Sequence, residues 1–195
     1  MLASQEDINI LVLDTEVYSN TGGQSSKSSK VGSVAKFTAK GKQVAKKDLA
    51  KIALTYPHVY VGSISLGANM QHTVKTLMEA EAYPGPSIVF AYSPCIAQGI
   101  LMGMSSSIEE EKKAVQSGYY PLFHYDPTTR KFTLDAKPDF DRYYEFIAGE
   151  DRYRILKKVN PDKYRELLEQ NRLNAIERFR YYEQLEKQSE EEVEE

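Results

Sequence analysis

Residues Ile8-Asn9-Ile10-Leu11-Val12-Leu13 form a short, mostly apolar run that ends at Asp14. Two further runs of this kind, Val59–Ile64 and Ser87–Tyr92, follow along the chain, and helix-like segments separate the three. Continuous apolar runs of this length are typical of strands that are buried on both faces of a sheet. The alternation predicts an α/β fold, a parallel sheet of βαβ units with covering helices.

Three helix-like segments lie between these strands. Val31–Lys40 carries apolar residues at helical spacing, and Lys47–Tyr56 presents an apolar face that ends at Pro57. A third helix is expected after the turn Gly67-Ala68-Asn69 and runs to about Ala82. We therefore expect two helices before the second strand and one before the third.

The chain changes character after the third strand. The segments Leu122–Tyr125 and Lys131–Leu134 flank a turn and predict a hairpin, and the pattern from Pro138 onward is helical. A helix start is expected at Asn160-Pro161. We expect three regions: a partial α/β domain at residues 1–125, a helical C-terminal arm for packing or association at 126–185, and an acidic disordered tail at 186–195.

The composition is that of an ordinary soluble protein, with 41% hydrophobic and 27% charged residues. No apolar run approaches the length that crosses a bilayer, and the N-terminus lacks the order of a secretory leader. The single cysteine, Cys95, excludes an internal disulfide and fits a reducing compartment, so we expect a cytoplasmic protein. A net charge of −3 gives no reason to expect a nucleic-acid or membrane partner.

The unusual features of the sequence follow the ends of the predicted strands. They are the loop Asp14–Gln24, the turn Gly67-Ala68-Asn69 and Cys95. Because the carboxyl ends of parallel strands share one edge of a sheet, and ligands usually bind there, we expect these features to meet at one site. We call this edge the rim. Their convergence on the rim is the main argument from the residues for a functional site.

The loop Asp14–Gln24 combines closely spaced oxygen donors with a glycine pair. Thr15 and a neighbouring backbone carbonyl can supply the hard oxygen ligands that Mg²⁺ prefers, and the glycines let the backbone approach an anion. An ordinary turn explains the same residues. From the residues alone, Cys95 is a small buried apolar side chain. Asn69 is either a contact to cofactor or substrate on the rim or, more simply, a helix N-cap.

The three histidines, His58, His72 and His124, are scattered and show no metal-ligand spacing, so we expect surface or packing roles for them.

The string Leu13–Gln24 resembles the second half of the thiamine-diphosphate signature of pyruvate:ferredoxin (flavodoxin) oxidoreductases. The resemblance covers about two-thirds of the chain and weakens in the tail. It continues in order through Ser26-Lys27-Ser28, Val34–Phe37, Lys46–Leu49, Val59-Tyr60-Val61, Gly67–Gln71, Tyr92–Ile96, Glu109–Val115 and Gly118–Leu122.

The resemblance implies roles for individual residues. The Thr15 side chain and the Val17 carbonyl are expected to bind the Mg²⁺ that anchors the diphosphate. Asn20 is expected beside the reactive thiazolium carbon as the catalytic amide, with Thr21 and Gly22 also at the cofactor. The segment around Cys95 resembles the one whose cysteine is one of four thiolate ligands of a [4Fe–4S] cluster.

Two parts of the family pattern are missing from this sequence. The Gly-Asp-Gly half of the signature, whose Asp also binds the metal, has no counterpart before Ile8, and neither Asp7 nor Asp14 is flanked by glycines. Three of the four cluster cysteines are also missing. The resemblance therefore implies an incomplete thiamine-diphosphate-binding fold in which the sites for thiamine diphosphate, Mg²⁺ and the [4Fe–4S] cluster are each incomplete.

As a function, the resemblance implies the C-terminal part of an enzyme that oxidatively decarboxylates pyruvate to acetyl-CoA and passes electrons to ferredoxin or flavodoxin. The expected partners are the N-terminal remainder of the enzyme, the electron carrier, pyruvate and CoA, with a homodimer when complete. We expect the isolated chain to be inactive. Two alternatives stay open: another 2-oxoacid as substrate, or a non-catalytic domain that serves association.

Overall fold

The computed structural model describes residues 1–194, which form an α/β fold with a long C-terminal helix. The strands are β1 (Asn9–Asp14), β2 (Val17–Tyr18), β3 (Gln24–Ser25), β4 (Tyr60–Ile64), β5 (Ser87–Tyr92), β6 (Phe123–Asp126) and β7 (Lys131–Leu134). The helices are α1 (Leu49–Ala53), α2 (Met70–Ala82), α3 (Ser107–Gln116), α4 (Tyr143–Ala148), α5 (Asp151–Arg154), α6 (Leu156–Val159) and α7 (Tyr164–Glu194). Short 3₁₀ turns lie at Ile96–Gln98, Met104–Ser106 and Phe140–Arg142.

The main sheet has five strands in the order β1-β5-β4-β6-β7. Strands β1, β5 and β4 are parallel, as expected for βαβ units, whereas β6 runs antiparallel to β4 and β7 antiparallel to β6. The sheet is therefore mixed and mostly parallel. Because the hairpin β6–β7 extends the sheet, β7 belongs to the α/β layer although it lies beyond the boundary that the sequence predicts at residue 125.

Apolar side chains cover both faces of the sheet. On one face Val61, Phe90 and Phe123 pack with Tyr182 of α7 and with the alanines of α1. On the other face Tyr60 and Val89 pack with Ala80 of α2. Burial on both faces explains why β4 and β5 are almost continuously apolar, whereas every second residue of the edge strand β1 is exposed.

Asn69 caps α2, because its side-chain oxygen accepts a hydrogen bond from the His72 amide at 2.9 Å. The helix N-cap role that the residues alone favour is therefore confirmed.

The segment Val31–Lys40 is not a helix, contrary to the sequence prediction. Its backbone forms turns, with φ angles of +78° at Gly32 and +71° at Phe37. Long-range backbone bonds hold it, including Gly32 N–H to the Lys42 carbonyl at 2.8 Å and Val34 N–H to the Arg152 carbonyl at 2.8 Å. Phe37 is 89% exposed, so the apolar spacing did not mark a buried face.

The helix predicted at Lys47–Tyr56 is shorter than expected and comprises only α1, which Asp48 caps at the Lys51 amide.

The C-terminal segment is helical to Glu194, contrary to the disordered tail expected at residues 186–195; Glu195 lies outside the described residues. Ser189 is buried and bonds the Phe132 backbone of β7, and the Glu186 carboxylate accepts from the Leu134 amide at 2.7 Å. The acidic segment is ordered because it satisfies backbone groups of an edge strand. Within the described residues, no helix combines the length and apolar character needed to span a bilayer.

Candidate functional site

The parallel pairing of β1 with β5 determines which loops share the rim. Asp14 lies opposite Tyr92 in the register, and the Ser93 amide donates to the Asp14 carbonyl at 3.2 Å. The Thr15 loop and the Cys95 segment therefore leave the sheet side by side. Strand β4 ends beside β5, with Ile64 opposite Ala91, so the turn before α2 lies along the same edge.

Direct contacts join the two loops. The buried Gln98 side chain donates to the Thr15 carbonyl at 3.3 Å. A Cβ placed on Gly23 would lie only 2.9 Å from the Ala97 side chain, so glycine permits the close approach of the loops. The structure thus brings the Thr15 segment and the 3₁₀ turn after Cys95 into contact.

The two oxygens expected to bind magnesium are adjacent. The Thr15 hydroxyl donates to the Val17 carbonyl with an oxygen–oxygen distance of 3.0 Å. Neighbouring ligands of an octahedral Mg²⁺ with bonds of 2.0–2.1 Å are about 2.9 Å apart. The two atoms therefore already have the separation of two neighbouring magnesium ligands, and the residues fit the ion.

Glu16 lies between these two residues, at a turn of the backbone where the two oxygens are adjacent. Its φ angle is +60°, in the left-handed region. Its carboxylate is buried and contacts Arg152 at 2.8 Å and the Tyr119 hydroxyl at 2.5 Å, with Lys46 at 3.5 Å and Lys30 at 3.8 Å. Burial alone would raise the pKa of Glu16, but the nearby cationic groups outweigh it and hold the pKa well below its usual range.

Arg152 serves a second buried carboxylate. Its Nε donates to Glu150 at 2.6 Å, and its Nη2 donates to the Tyr119 hydroxyl at 2.9 Å. Burial raises the pKa of Glu150 to about 7, although the Arg152 charge acts in the opposite direction. Glu16, Tyr119, Glu150 and Arg152 therefore form a buried network of hydrogen bonds and ion pairs that holds the loop Asp14–Gln24 at Glu16.

The sequence does not predict this network, and its only local signal is the acidic residue between Thr15 and Val17. Its other members come from distant parts of the chain.

Asp14 does not replace the missing metal-binding aspartate. One carboxylate oxygen accepts from the Ser28 hydroxyl at 2.6 Å and from the Glu16 amide at 3.2 Å. The other pairs with the Lys46 ammonium. Because these groups of the chain bond both oxygens, Asp14 acts as a structural anchor of the loop.

Asn20, Thr21 and Gly22 form the turn that joins β2 and β3. Asn20 is exposed, and its side chain makes no hydrogen bond to the described part of the chain. The Thr21 hydroxyl bonds the Gln24 side chain at 2.6 Å, and Gly22 has a φ angle of +100°. A Cβ on Gly22 would lie 2.7 Å from the Lys36 ammonium, so the turn presents a free amide next to a positive charge.

Cys95 is a free, half-buried cysteine at the start of the 3₁₀ turn. Its sulfur accepts a weak hydrogen bond from the Ala97 amide at 3.4 Å. The side chain lies on the rim, as the sequence predicts, and it is the one thiol of the chain.

A cavity of about 320 Å³ lies on the inner side of the loop and not at its tip. Asp14, Lys46, Phe90 and Arg178 are among its lining residues, whereas Asn20 and Cys95 are not. Of the predicted site residues, Thr15 and Val17 line the cavity, whereas Asn20, Thr21, Gly22 and Cys95 lie outside it.

No protein-family model matches the chain. Known proteins match nearly all of this chain. The chain spans about a sixth of the length of the Moorella thermoacetica and Klebsiella pneumoniae relatives. It is 46% identical over 190 residues to pyruvate:ferredoxin oxidoreductase of Moorella thermoacetica, which is 95% of this chain and 16% of that protein. It is 45% identical over 190 residues to pyruvate-flavodoxin oxidoreductase of Klebsiella pneumoniae, again 95% and 16%. Mitochondrial pyruvate dehydrogenase [NADP(+)] of Euglena gracilis is 43% identical over 187 residues, 93% of this chain and 10% of that protein.

Proposed function

We propose that this chain, a homologue of one segment of the pyruvate:ferredoxin (flavodoxin) oxidoreductases, contributes the rim residues of the active site in an enzyme that oxidises pyruvate to acetyl-CoA. Ferredoxin or flavodoxin is the proposed electron acceptor. The observation that carries the proposal is the contact of the Thr15–Val17 segment with the turn after Cys95, through Gln98. A metal-anchored cofactor and an electron acceptor must be neighbours, and this contact supports their placement.

Thr15 and Val17 would hold the Mg²⁺ that binds the diphosphate. Their oxygens are 3.0 Å apart, and Glu16 holds the turn that aligns them. A carboxylate ligand must come from another segment, because Asp14 is paired with Lys46 and Ser28. When bound, thiamine diphosphate supplies the carbanion chemistry of decarboxylation.

Asn20 is the proposed catalytic residue. Its exposed amide can donate a hydrogen bond to a substrate oxygen on which negative charge develops. Thr21 and Gly22 shape the turn that presents this amide, and the Lys36 ammonium beside Gly22 favours an anionic group there. These residues would orient the reacting molecule and stabilise charge.

Cys95 would supply one thiolate to a [4Fe–4S] cluster. Such a cluster takes four cysteine ligands, and this chain has one, so three must come from the remainder of the enzyme. We therefore propose that the isolated chain does not turn over pyruvate, and that a homodimeric cytoplasmic enzyme containing this segment uses CoA as the acyl acceptor. Another 2-oxoacid remains a second substrate candidate in the same site.

A non-catalytic association domain is the alternative that a specific observation favours. Strand β1 is an edge strand whose Leu11 and Leu13 are 55% and 63% exposed. On α2, Met70, Val74 and Met78 are also exposed. Exposed apolar surface of this kind marks an interaction site. The same surfaces fit contacts with the rest of a larger enzyme, so only an activity measurement separates the two functions.

The test replaces the matching 190-residue segment of the Moorella thermoacetica relative with this chain. The chimera is assayed for CoA-dependent reduction of methyl viologen by pyruvate, and for iron content. We expect activity, and a loss on the order of 100-fold in kcat for Asn20→Ala with unchanged iron. Cys95→Ala should lose both activity and part of the iron.

Asn174→Ala is the matched control, because this amide lies on α7 and bonds Gln170. It should retain the activity of the chimera. A soluble chimera that contains iron but does not oxidise pyruvate would favour the association domain. An active chimera in which neither Asn20→Ala nor Cys95→Ala lowers the rate would refute the assigned roles.

A further inference from the structure

Three polar side chains meet on the α2 side of the sheet. The Asp135 carboxylate Oδ2 is 2.9 Å from His72 Nε2 and 2.8 Å from His124 Nδ1. One nitrogen or oxygen of each residue lies within 4.8 Å of the other two. Histidines that are scattered in the sequence are therefore neighbours in space.

Three different elements bring these residues together. His72 lies in the first turn of α2, where the Asn69 side chain caps its amide, and His124 lies on β6 opposite Gly62 of β4. A Cβ on Gly62 would lie 2.6 Å from the Thr76 methyl group, so glycine lets α2 pack closely on the sheet. Because α2 packs so closely on the sheet, His72 on α2 lies near His124 on β6. Asp135 follows β7 directly, and its amide donates to the Leu122 carbonyl at 2.9 Å.

The cluster is shielded but still reaches solvent. The side chains of His72, His124 and Asp135 are 8%, 15% and 14% exposed. The Thr76 hydroxyl is 3.3 Å from His72 Nε2. Without a cation, a single carboxylate oxygen must accept hydrogen bonds from two imidazoles. The same convergence of two imidazole nitrogens and one carboxylate is a frequent ligand set for metal ions.

We propose that His72, His124 and Asp135 form a binding site for a zinc-like divalent transition-metal ion, with water as the fourth ligand. Tetrahedral zinc with bonds of 2.0–2.2 Å places its ligand atoms about 3.4 Å apart, so the present contacts need to open by about 0.5 Å. Small side-chain rotations achieve this. Two imidazoles favour a transition metal over Mg²⁺ or Ca²⁺, which prefer oxygen ligands.

A bound ion would tie α2 to the hairpin β6–β7. The ligands lie on elements that are separate in sequence, so the unfolded chain does not present this site. An ion that binds only the native state stabilises it by mass action. The site is separate from the proposed catalytic role, because Thr15, Val17, Asn20 and Cys95 are not among its ligands.

The first experiment is a calorimetric titration of the full chain with zinc chloride in a Cys95→Ser background, which removes the one thiol. We expect one zinc ion per chain. His72→Gln, His124→Gln and Asp135→Asn should each weaken binding on the order of 100-fold, because each removes a ligand. His58→Gln is the matched control, since its ring bonds the Leu2 carbonyl elsewhere, and it should bind zinc as the parent does.

Two further measurements, X-ray absorption and thermal unfolding, test the site even if the ligand variants fold poorly. X-ray absorption of the zinc-loaded parent should show scattering from two imidazoles, and zinc should raise the thermal midpoint of the parent but not of Asp135→Asn. The site is excluded if the parent binds no zinc. It is also excluded if His58→Gln weakens binding as much as His124→Gln, or if the spectrum lacks imidazole scattering.

Discussion

At the scale of single residues, Glu16 determines the geometry of the two proposed magnesium ligands. Its φ angle of +60° places a non-glycine residue in the left-handed region, which costs on the order of 1–3 kcal/mol. The buried pair of Glu16 with Arg152 and the bond from Tyr119 hold the residue in that conformation. Thr15 and Val17 present adjacent oxygens because Glu16 points inward.

The buried Glu150 carboxylate gives a prediction on pH. Burial raises its pKa in the folded chain to about 7 from the ordinary 4.5. An acid with a raised folded pKa contributes stability that is fully present below pH 4.5 and is lost as the pH rises through 7. We measure the free energy of unfolding in urea at pH 4.5 and at pH 8 for the wild type and for Glu150→Gln. The decrease from pH 4.5 to pH 8 should be roughly 3 kcal/mol larger in the wild type than in Glu150→Gln.

Glutamine keeps an oxygen that can accept from Arg152, so the substitution removes the charge and retains a bond. Glu81→Gln removes an exposed carboxylate and serves as the control. If the urea curves of Glu150→Gln and the wild type change in parallel over this pH range, the raised pKa is wrong.

Residue roles could be proposed from the sequence only where a short string carries them. Thr15, Val17 and Asn20 belong to one loop, and Cys95 follows one strand, so the resemblance could assign them. Glu16 was missed although it lies in the same string, because its partners are remote: Tyr119, for example, is 103 positions away. Nothing in local sequence marks a buried carboxylate whose charges are balanced from other elements.

At the scale of elements, the C-terminal part of α7 acts as a cover for the edge strand β7. Ser189 bonds both backbone groups of Phe132, and Glu186 accepts from the Leu134 amide. Edge strands expose unpaired backbone groups that attract other chains, and natural proteins often cover them. The acidic C-terminal part of α7 therefore packs on the edge strand β7, although its composition is typical of a solvated tail.

Deletion of residues 186–195 tests this cover. The amides of Phe132 and Leu134 lose their partners, each worth about 1 kcal/mol, so their hydrogen exchange should accelerate about fivefold. Exchange is measured by NMR on the full chain and on the deletion variant. Deletion of residues 191–195 alone keeps Glu186 and Ser189 and should leave both amides protected. Equal exchange in the longer deletion and the full chain would support the disordered tail instead.

Most elements were predictable because burial determines their pattern. The strand Ser87–Tyr92 was predicted at the residues observed, and the hairpin and α2 were also found. The predicted helix at Val31–Lys40 was wrong because Gly32 and Phe37 adopt positive φ angles and long-range bonds replace helical ones. The spacing of apolar residues does not predict a backbone hydrogen bond such as the one from Val34 to the Arg152 carbonyl.

At the scale of the whole molecule, the proposed site depends on the order of the strands in the sheet. The parallel neighbours β1 and β5 deliver the Thr15 loop and the Cys95 segment to one rim, where Gln98 links them. The Gln98→Ala variant removes this link. Because one hydrogen bond is worth about 1 kcal/mol, we expect about fivefold faster hydrogen exchange in the peptide that covers Thr15–Gln24.

Exchange is followed by mass spectrometry, and Gln71→Ala, an exposed glutamine on α2, is the control. Unchanged exchange of that peptide in Gln98→Ala would mean that the two loops are not coupled through this side chain.

The sequence by itself determined the α/β class, the strands of the sheet and the loops that carry the proposed site residues, because apolar runs and turn residues act locally. Only the tertiary structure decided that β5 lies between β1 and β4, that Arg152 neutralises Glu16, and that His72, His124 and Asp135 meet. Each of these depends on contacts between residues far apart in the chain. Local sequence patterns carry no information on contacts between distant residues, because burial and strand order depend on the free energy of the whole fold.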